Sequence, residues 1–438
     1  MTLELAKERV LRRARSLGVD AEVLAVGSRE LTVSAKDGRP DELSLASRGG
    51  IGVRVVREGR VGYASTEALD DASLDWMLDE AIENAGLQPD RGVTLPVGEP
   101  LGTIDLLGEG LTAAAEVKRG AAVSLERTLV ADARVDALFV CRYSESEVQI
   151  TLGSTRGVDG GYRNGFAALM ASPVMKQGDS VKQGWDLAFG KEVHALDPGR
   201  TAQTILARVG RHLGATPLAT GRYVTMFEPD VVATLLRVLL FSLSGKTLAE
   251  GKTLLAGKLG QRIASDHVTL VDDPTLASGL GSRPFDAEGT PAQRTVLVER
   301  GNLRSFLHNS DTARRTGHAN TGHAERGYAS ALGVGISNLI FEPGAGVELS
   351  DGVIVTDLMG VHAGANPITG EASLQGLGLR VEAGEARPVE DFAVSFNLFR
   401  LLEGVEGVGD VLEWRPGGGL GVIGAPAVLV GELSFGGA

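Results

Sequence analysis

A chain of 438 residues, 43% hydrophobic and 23% charged, is too long for one ordinary core and has ample apolar material to bury, so a soluble protein of two or three domains is expected. Fifty-six acidic against 43 basic residues give a formal charge of −13, a field that repels phosphate backbones and anionic lipid and argues against nucleic acid or a membrane as partner. One cysteine, Cys141 in an apolar run, cannot form an intrachain disulfide; with no secretion signal in MTLELAKERVLRRARSLG and no stretch of about 18 apolar residues, the expected compartment is the cytoplasm.

Sixty glycines and few aromatics imply many tight turns and a core of Val, Leu, Ile and Ala, which favours antiparallel sheet with some helix. In chain order, Leu3, Ala6, Val10, Ala14 and Leu17 recur at helical spacing and Gly18 follows as a stop. From Ala21 to Thr66 the period falls to two, with turn signals at Asp37-Gly38 and Glu58-Gly59. A second helix over Leu69 to Ala85 closes a first α+β unit, residues 1–95.

Residues 90 to 110 read as a linker. The second unit, residues 96–215, starts with a helix from about Thr112 to Ala131, continues through strands such as ALFVCRYS, EVQITLGS and GFAALMASPVMK, and ends on a helix opened by Asp197-Pro198. Both units run helix, strands, helix, a pattern open to two readings: a distant internal duplication, or hairpins of a common kind. The third unit, residues 216–438, is the largest: a strand at 222–229, a helix from about Pro229 to Leu248, then a series of strands and a late helix near Ser395 to Leu402. The expected fold is α+β, with two smaller N-terminal units before a larger, mainly antiparallel C-terminal domain.

Few motifs carry chemistry. Gly245-Lys246-Thr247 and Gly251-Lys252-Thr253 end like phosphate loops, but Leu240 and Lys246 stand where the first loop glycine is required, which removes ATP hydrolysis. No G-x-S-x-G elbow occurs. His308, His318, His323 and His362 are the densest histidine grouping and the fallback ligand set for a metal; HANTGH lacks the glutamate that a metalloprotease helix supplies as base. The stretch Gly360 to Gly378, GVHAGANPITGEASLQGLG, gathers polar residues around His362 in a glycine-rich sheet context, a setting suited to adding an extended peptide to a strand edge. Its polar side chains His362, Asn366, Thr369 and Gln375 are the candidates for substrate contact, with turn stabilisation the competing role for each.

Three segments carry a resemblance: SRGGIGVRVVREGRVGYAST, SGLGSRPFDAEGTPAQRTVLVERGNLRSFLHNSDTARRTGHANTGH and GVHAGANPITGEASLQGLGLRVEAGEARPV. Through them nearly the whole chain resembles the TldD/PmbA family, and the last two are closer to its PmbA (TldE) branch. TldD-type members carry H-E-x-x-x-H on a C-terminal-domain helix, where the histidines bind zinc and the glutamate activates the metal-bound water. In this sequence the motif falls on Phe241, Ser242 and Lys246, with Gly245 matching the family's glycine before the second histidine.

The resemblance therefore implies a zinc-free subunit with no catalytic residue and no cofactor of its own, zinc being expected only in a TldD-like partner. Its expected companions are that zinc-bearing chain or a second copy of itself, and extended peptides. Two rivals are a self-standing peptidase with a metal on the four histidines, and a peptide- or client-binding module with no protease partner.

Overall fold

The computed structural model describes residues 1–107 and 109–437. Helix α1 (Leu3–Ser16) opens on the Thr2 hydroxyl, which accepts from the Leu5 amide, and stops where Gly18 takes φ 65°. Strands β1 (Asp20–Lys36) and β2 (Arg39–Arg57) turn at Asp37-Gly38, and β3 (Arg60–Thr66) follows a second turn at Glu58-Gly59. All four turn residues have positive φ, the geometry a two-residue hairpin demands. Helix α2 (Asp71–Gly86) completes this half, capped by the Asp70 carboxylate on the Ser73 amide.

The next segment contains β4 (Pro100–Asp105), which pairs in parallel with a later strand, so the expected linker is partly sheet. Helix α3 (Ala115–Val130), β5 (Val135–Ser154), β6 (Asp159–Gln177), the short β7 (Ser180–Gln183) and β8 (Asp186–Gly190), and α4 (Pro198–Gly210) form the second half. Asp197 caps α4 and Pro198 occupies its first turn, as the Asp-Pro signal predicts.

Strands from both sides of the expected boundary at residue 95 enter one eight-stranded sheet. Its spine runs β3-β2-β1-β5-β6, with the first strand of each half paired antiparallel from Glu22 opposite Ser154 to Ser34 opposite Arg142. Apart from β4, which pairs in parallel with β6 and has no counterpart beside β2, each half is helix, long hairpin, short strand or strands, helix. This arrangement agrees with an internal duplication. All four helices cover one face: α1 and α2 bury Val23, Ile51 and Val53, while α3 and α4 bury Val33, Tyr143 and Leu169. The other face, at Leu24, Ile150, Leu152 and Tyr162, packs on the C-terminal domain through Phe285, whose ring meets Tyr162 edge-on at 5.4 Å.

The C-terminal domain holds a seven-stranded sheet built around Gly221–Phe227, Gly352–Met359, Glu371–Glu382, Glu385–Asn397 and Val428–Gly436, and a six-stranded sheet around Leu270–Asp272, Thr295–Glu299, Asn338–Phe341 and Gly421–Ala425. Helix α5 (Pro229–Leu243) touches strands of both sheets and lies in the largest core, with Leu235, Leu236 and Leu239 among Phe341, Val355 and Ile423. Helices α6 (Gly245–Ala249), α7 (Ser310–Thr316), α8 (Val361–Gly364) and α9 (Leu398–Glu403) are short. Cys141 is buried, and burial followed by the nearby Glu126 charge pushes its thiol up to about 12, so it is an inert core residue. Among the described residues no helix is long and apolar enough to cross a membrane.

A buried charge network ties the two parts together. The Arg54 Nη1 on β2 donates to Glu288 at 2.6 Å and lies 3.5 Å from Glu22, while Arg326 donates to Glu22 at 2.7 Å. All four side chains are at most 1% exposed. Two cations against two anions leave the set neutral, as burial requires, and the Ser310 amide satisfies a further Glu288 oxygen at 2.9 Å. Burial still raises the Glu22 carboxyl above its ordinary range, although Arg326 and Arg54 oppose it.

Candidate functional site

The expected single helix from Pro229 to Leu248 is two helices. Ser244 breaks it with extended backbone, φ −78° and ψ 130°, and pairs with Leu307 on a neighbouring segment. The Leu307 amide donates to Leu243 at 2.9 Å and the Gly245 amide to Leu307 at 2.7 Å, so an outside strand takes the hydrogen bonds that would have continued α5. The Ser244 hydroxyl then caps α6, accepting from the Lys246 amide. Phe241 and Ser242 therefore end one helix, and Lys246 starts another.

These positions are fixed in different ways. Ser242 is buried and its hydroxyl donates to the Pro367 carbonyl at 3.0 Å, drawing the Gly360–Gly370 loop onto the end of α5. The Thr253 hydroxyl donates to the Ser242 carbonyl at 2.9 Å, and Thr247 donates to the carbonyls of Phe241 and Ser244. Lys246 is exposed and lines a cleft of about 450 Å³ between the two parts of the molecule. Arg54, Tyr63 and Arg91 line the opposite side, and Glu250, Asp311 and Arg315 stand beside Lys246.

The four histidines do not converge. His308 is buried and stacks on His318, ring centroids 5.3 Å apart at 19°, with its Nδ1 3.1 Å from the Thr312 hydroxyl. Burial, with smaller contributions from His318 and His323, lowers its pKa to about 4, so the ring is neutral at pH 7. His323, fully buried, places Nε2 3.0 Å from Asp272 and Nδ1 2.8 Å from Thr321. Burial pushes Asp272 up, but hydrogen bonds from His323 and Ser337 outweigh it and hold the carboxyl below its usual range. His362 is exposed on α8. Among the described residues, the one triple of His, Cys or acidic side chains with ligand atoms within 4.8 Å of one another is Glu4, Glu8 and Asp159, and the Lys7 ammonium pairs with all three.

The other loop candidates have local work. Asn366 Oδ1 accepts from the amides of Ile368 at 2.9 Å and Thr369 at 3.1 Å, and the Thr369 hydroxyl accepts from Glu371 at 3.4 Å. Gln375 is exposed on Glu371–Glu382, opposite Met359 and Ala393. None of His362, Asn366, Thr369 or Gln375 lines the cleft at Lys246. The cleft's Arg54 and Arg91 were missed in the sequence, where isolated arginines carry no spacing signal; the nearest hint was the glycine-rich run around Arg54.

Residues 220–437 match the PmbA/TldA metallopeptidase C-terminal domain, and residues 21–85 match PmbA/TldA metallopeptidase domain 1. The chain belongs to the PmbA/TldD family. Among its relatives, a protein named metalloprotease from Methanothermobacter thermautotrophicus is 29% identical over 409 residues, covering 89% of this chain and 87% of its own. Metalloprotease PmbA of Escherichia coli O157:H7 is 26% identical over 420 residues, covering 94% and 92%. The crystal structure of TldE from Thermococcus kodakarensis superposes with a TM-score of 0.86 at 22% identity, over 98% of this chain and 99% of that one, a likeness of fold.

The sequence resemblance sets the zinc motif of TldD-type members against Phe241, Ser242 and Lys246, and these three side chains do not suit a zinc ion. Phe241 has no lone pair, the Ser242 hydroxyl is no carboxylate base and is committed to Pro367, and the Lys246 ammonium repels a dication. No catalytic step is assigned to these three side chains.

Proposed function

We propose that this chain is the non-catalytic, PmbA/TldE-like subunit of a TldD/PmbA-type metallopeptidase, assembling with a zinc-bearing chain and helping to hold extended peptides. The observation that carries the reading is the donor set at Phe241, Ser242 and Lys246, split between two helices and lacking any metal ligand or base. The names of the full-length relatives, metalloprotease and metalloprotease PmbA, support the wider setting of proteolysis.

The test is to purify this chain and a relative from the same organism that carries H-E-x-x-x-H, separately and together, and to measure zinc by elemental mass spectrometry alongside cleavage of an unfolded protein. The expected result is zinc near zero in this chain, cleavage by the mixture, and none by this chain alone. Zinc near one per chain together with cleavage by the partner-free protein would overturn the reading.

A further inference from the structure

The cleft at Lys246 is cationic in an acidic protein. Arg91, Lys246 and Arg315 line it against two acids, Glu250 and Asp311, whereas the chain as a whole carries −13; Arg54, also in the lining, is already balanced by Glu22 and Glu288. The acids are engaged: Glu250 pairs with Lys252 at 2.8 Å, and Asp311 pairs with Arg314 at 2.7 Å and Arg315 at 3.6 Å. Arg91 and Lys246 are both exposed, and among the described residues neither has a carboxylate within 4.0 Å. Arg54 is 1% exposed and spends Nη1 on Glu22 and Glu288, while its buried Nε has no acceptor. Arg91 and Lys246, exposed and without a carboxylate in ion-pair range, share one 450 Å³ space with Arg315, a site short of an anion.

We infer that this cleft binds a carboxylate of an extended peptide, either an acidic side chain or a free chain end. The inference rests on the peptide-holding role proposed above and adds its selectivity. An incoming carboxylate relieves the repulsion between Arg91, Lys246 and Arg315 and supplies acceptors that the cleft's own acids do not. The walls come from both parts of the molecule, Arg91 from the N-terminal part and Lys246 from α6.

The probes are three rhodamine-labelled peptides: amidated hexaalanine, hexaalanine with a free C-terminus, and an amidated version with two central glutamates. Fluorescence anisotropy with the full-length protein measures each. At least one carboxylate peptide is expected to bind about tenfold more tightly than amidated hexaalanine, equivalent to about 1.4 kcal/mol, and the margin shrinks as salt rises. Which of the two gains identifies the source of the carboxylate. Arg91→Glu with Lys246→Glu abolishes the preference, Arg91→Gln with Lys246→Gln abolishes it at an unchanged urea midpoint, and Arg91→Lys with Lys246→Arg keeps it.

Equal binding of all three peptides overturns the carboxylate site and leaves the peptide-holding role standing. Binding of none, or a preference that survives Arg91→Glu with Lys246→Glu, overturns the site; the first of these also removes peptide holding, while assembly with the zinc-bearing chain is judged separately by copurification.

Discussion

His308 lies against the backbone of Gly245 so closely that a Cβ on that glycine would stand 2.2 Å from the ring Nδ1 and 2.7 Å from the Leu307 carbonyl. The contact explains a glycine directly before Lys246 without any appeal to a metal. The break after α5 brings Leu307 and His308 alongside, and only a residue without a side chain lets them approach.

Gly245→Ala is therefore expected to destabilise the protein by about 1–3 kcal/mol, the usual cost of overpacking. Urea unfolding gives the value. Adding His308→Ala should recover part of the loss, because the two residues are in contact and their effects couple. An unchanged midpoint for Gly245→Ala would show that the close approach is absent.

Ser242→Ala removes the donor to the Pro367 carbonyl and is expected to cost about 0.5–1.5 kcal/mol. Hydrogen exchange is the sharper measurement: the amides of Ile368 and Thr369, held by Asn366, should exchange faster as the loop loosens from α5. Unaltered protection there would mean that the loop is held by other contacts.

Glu288→Ala leaves Arg54 buried with a weaker partner and strips the Ser310 amide of its acceptor. The expected loss is about 3–5 kcal/mol, as for breaking one side of a buried ion pair. Equilibrium unfolding that shifts by less than about 1 kcal/mol would show that the network is dispensable.

Acid should act through two buried histidines, His212, which burial lowers to about 4, and His308. The folded pKa of His308 is about 4 against an ordinary 6.5, so the unfolded chain takes up the proton first. The stability this represents is complete above pH 6.5, falls as pH drops toward 4 and levels off below that. The slope for one proton is about 1.4 kcal/mol per pH unit at most. Burial raises Glu22, Asp186 and Asp286, which act in the opposite sense, so the contribution is read as a difference. The gap between His308→Gln and wild type should move in favour of the variant from pH 7.5 to pH 4.5. A gap constant across that range would contradict the shift.

Local chemistry was legible in the sequence. Asp37-Gly38, Glu58-Gly59 and Asp197-Pro198 each act through neighbours a few residues away, and each stands where the pattern places it. Strand length was not legible. β2 runs straight through Gly49-Gly50, and a Cβ at Gly50 or Gly52 would collide with Tyr328 of the C-terminal domain. Those glycines serve packing between distant segments. The break at Ser244 was hidden for a similar reason: the apolar period continues past it, and the competitor for its hydrogen bonds is Leu307, some sixty residues on. Arg54 and Glu288 lie 234 residues apart, and no spacing rule joins them.

The pairing of β1 with β5 has a consequence for the history and the handling of the molecule. A free-standing first half would bare the edge from Glu22 to Ser34, a long row of amides and carbonyls wanting a neighbour, and the natural neighbour is another such half turned end for end. Tandem linkage of two halves covers that edge within one chain. Cutting between residues 95 and 115 to obtain the first half alone should therefore yield a sticky fragment that self-associates.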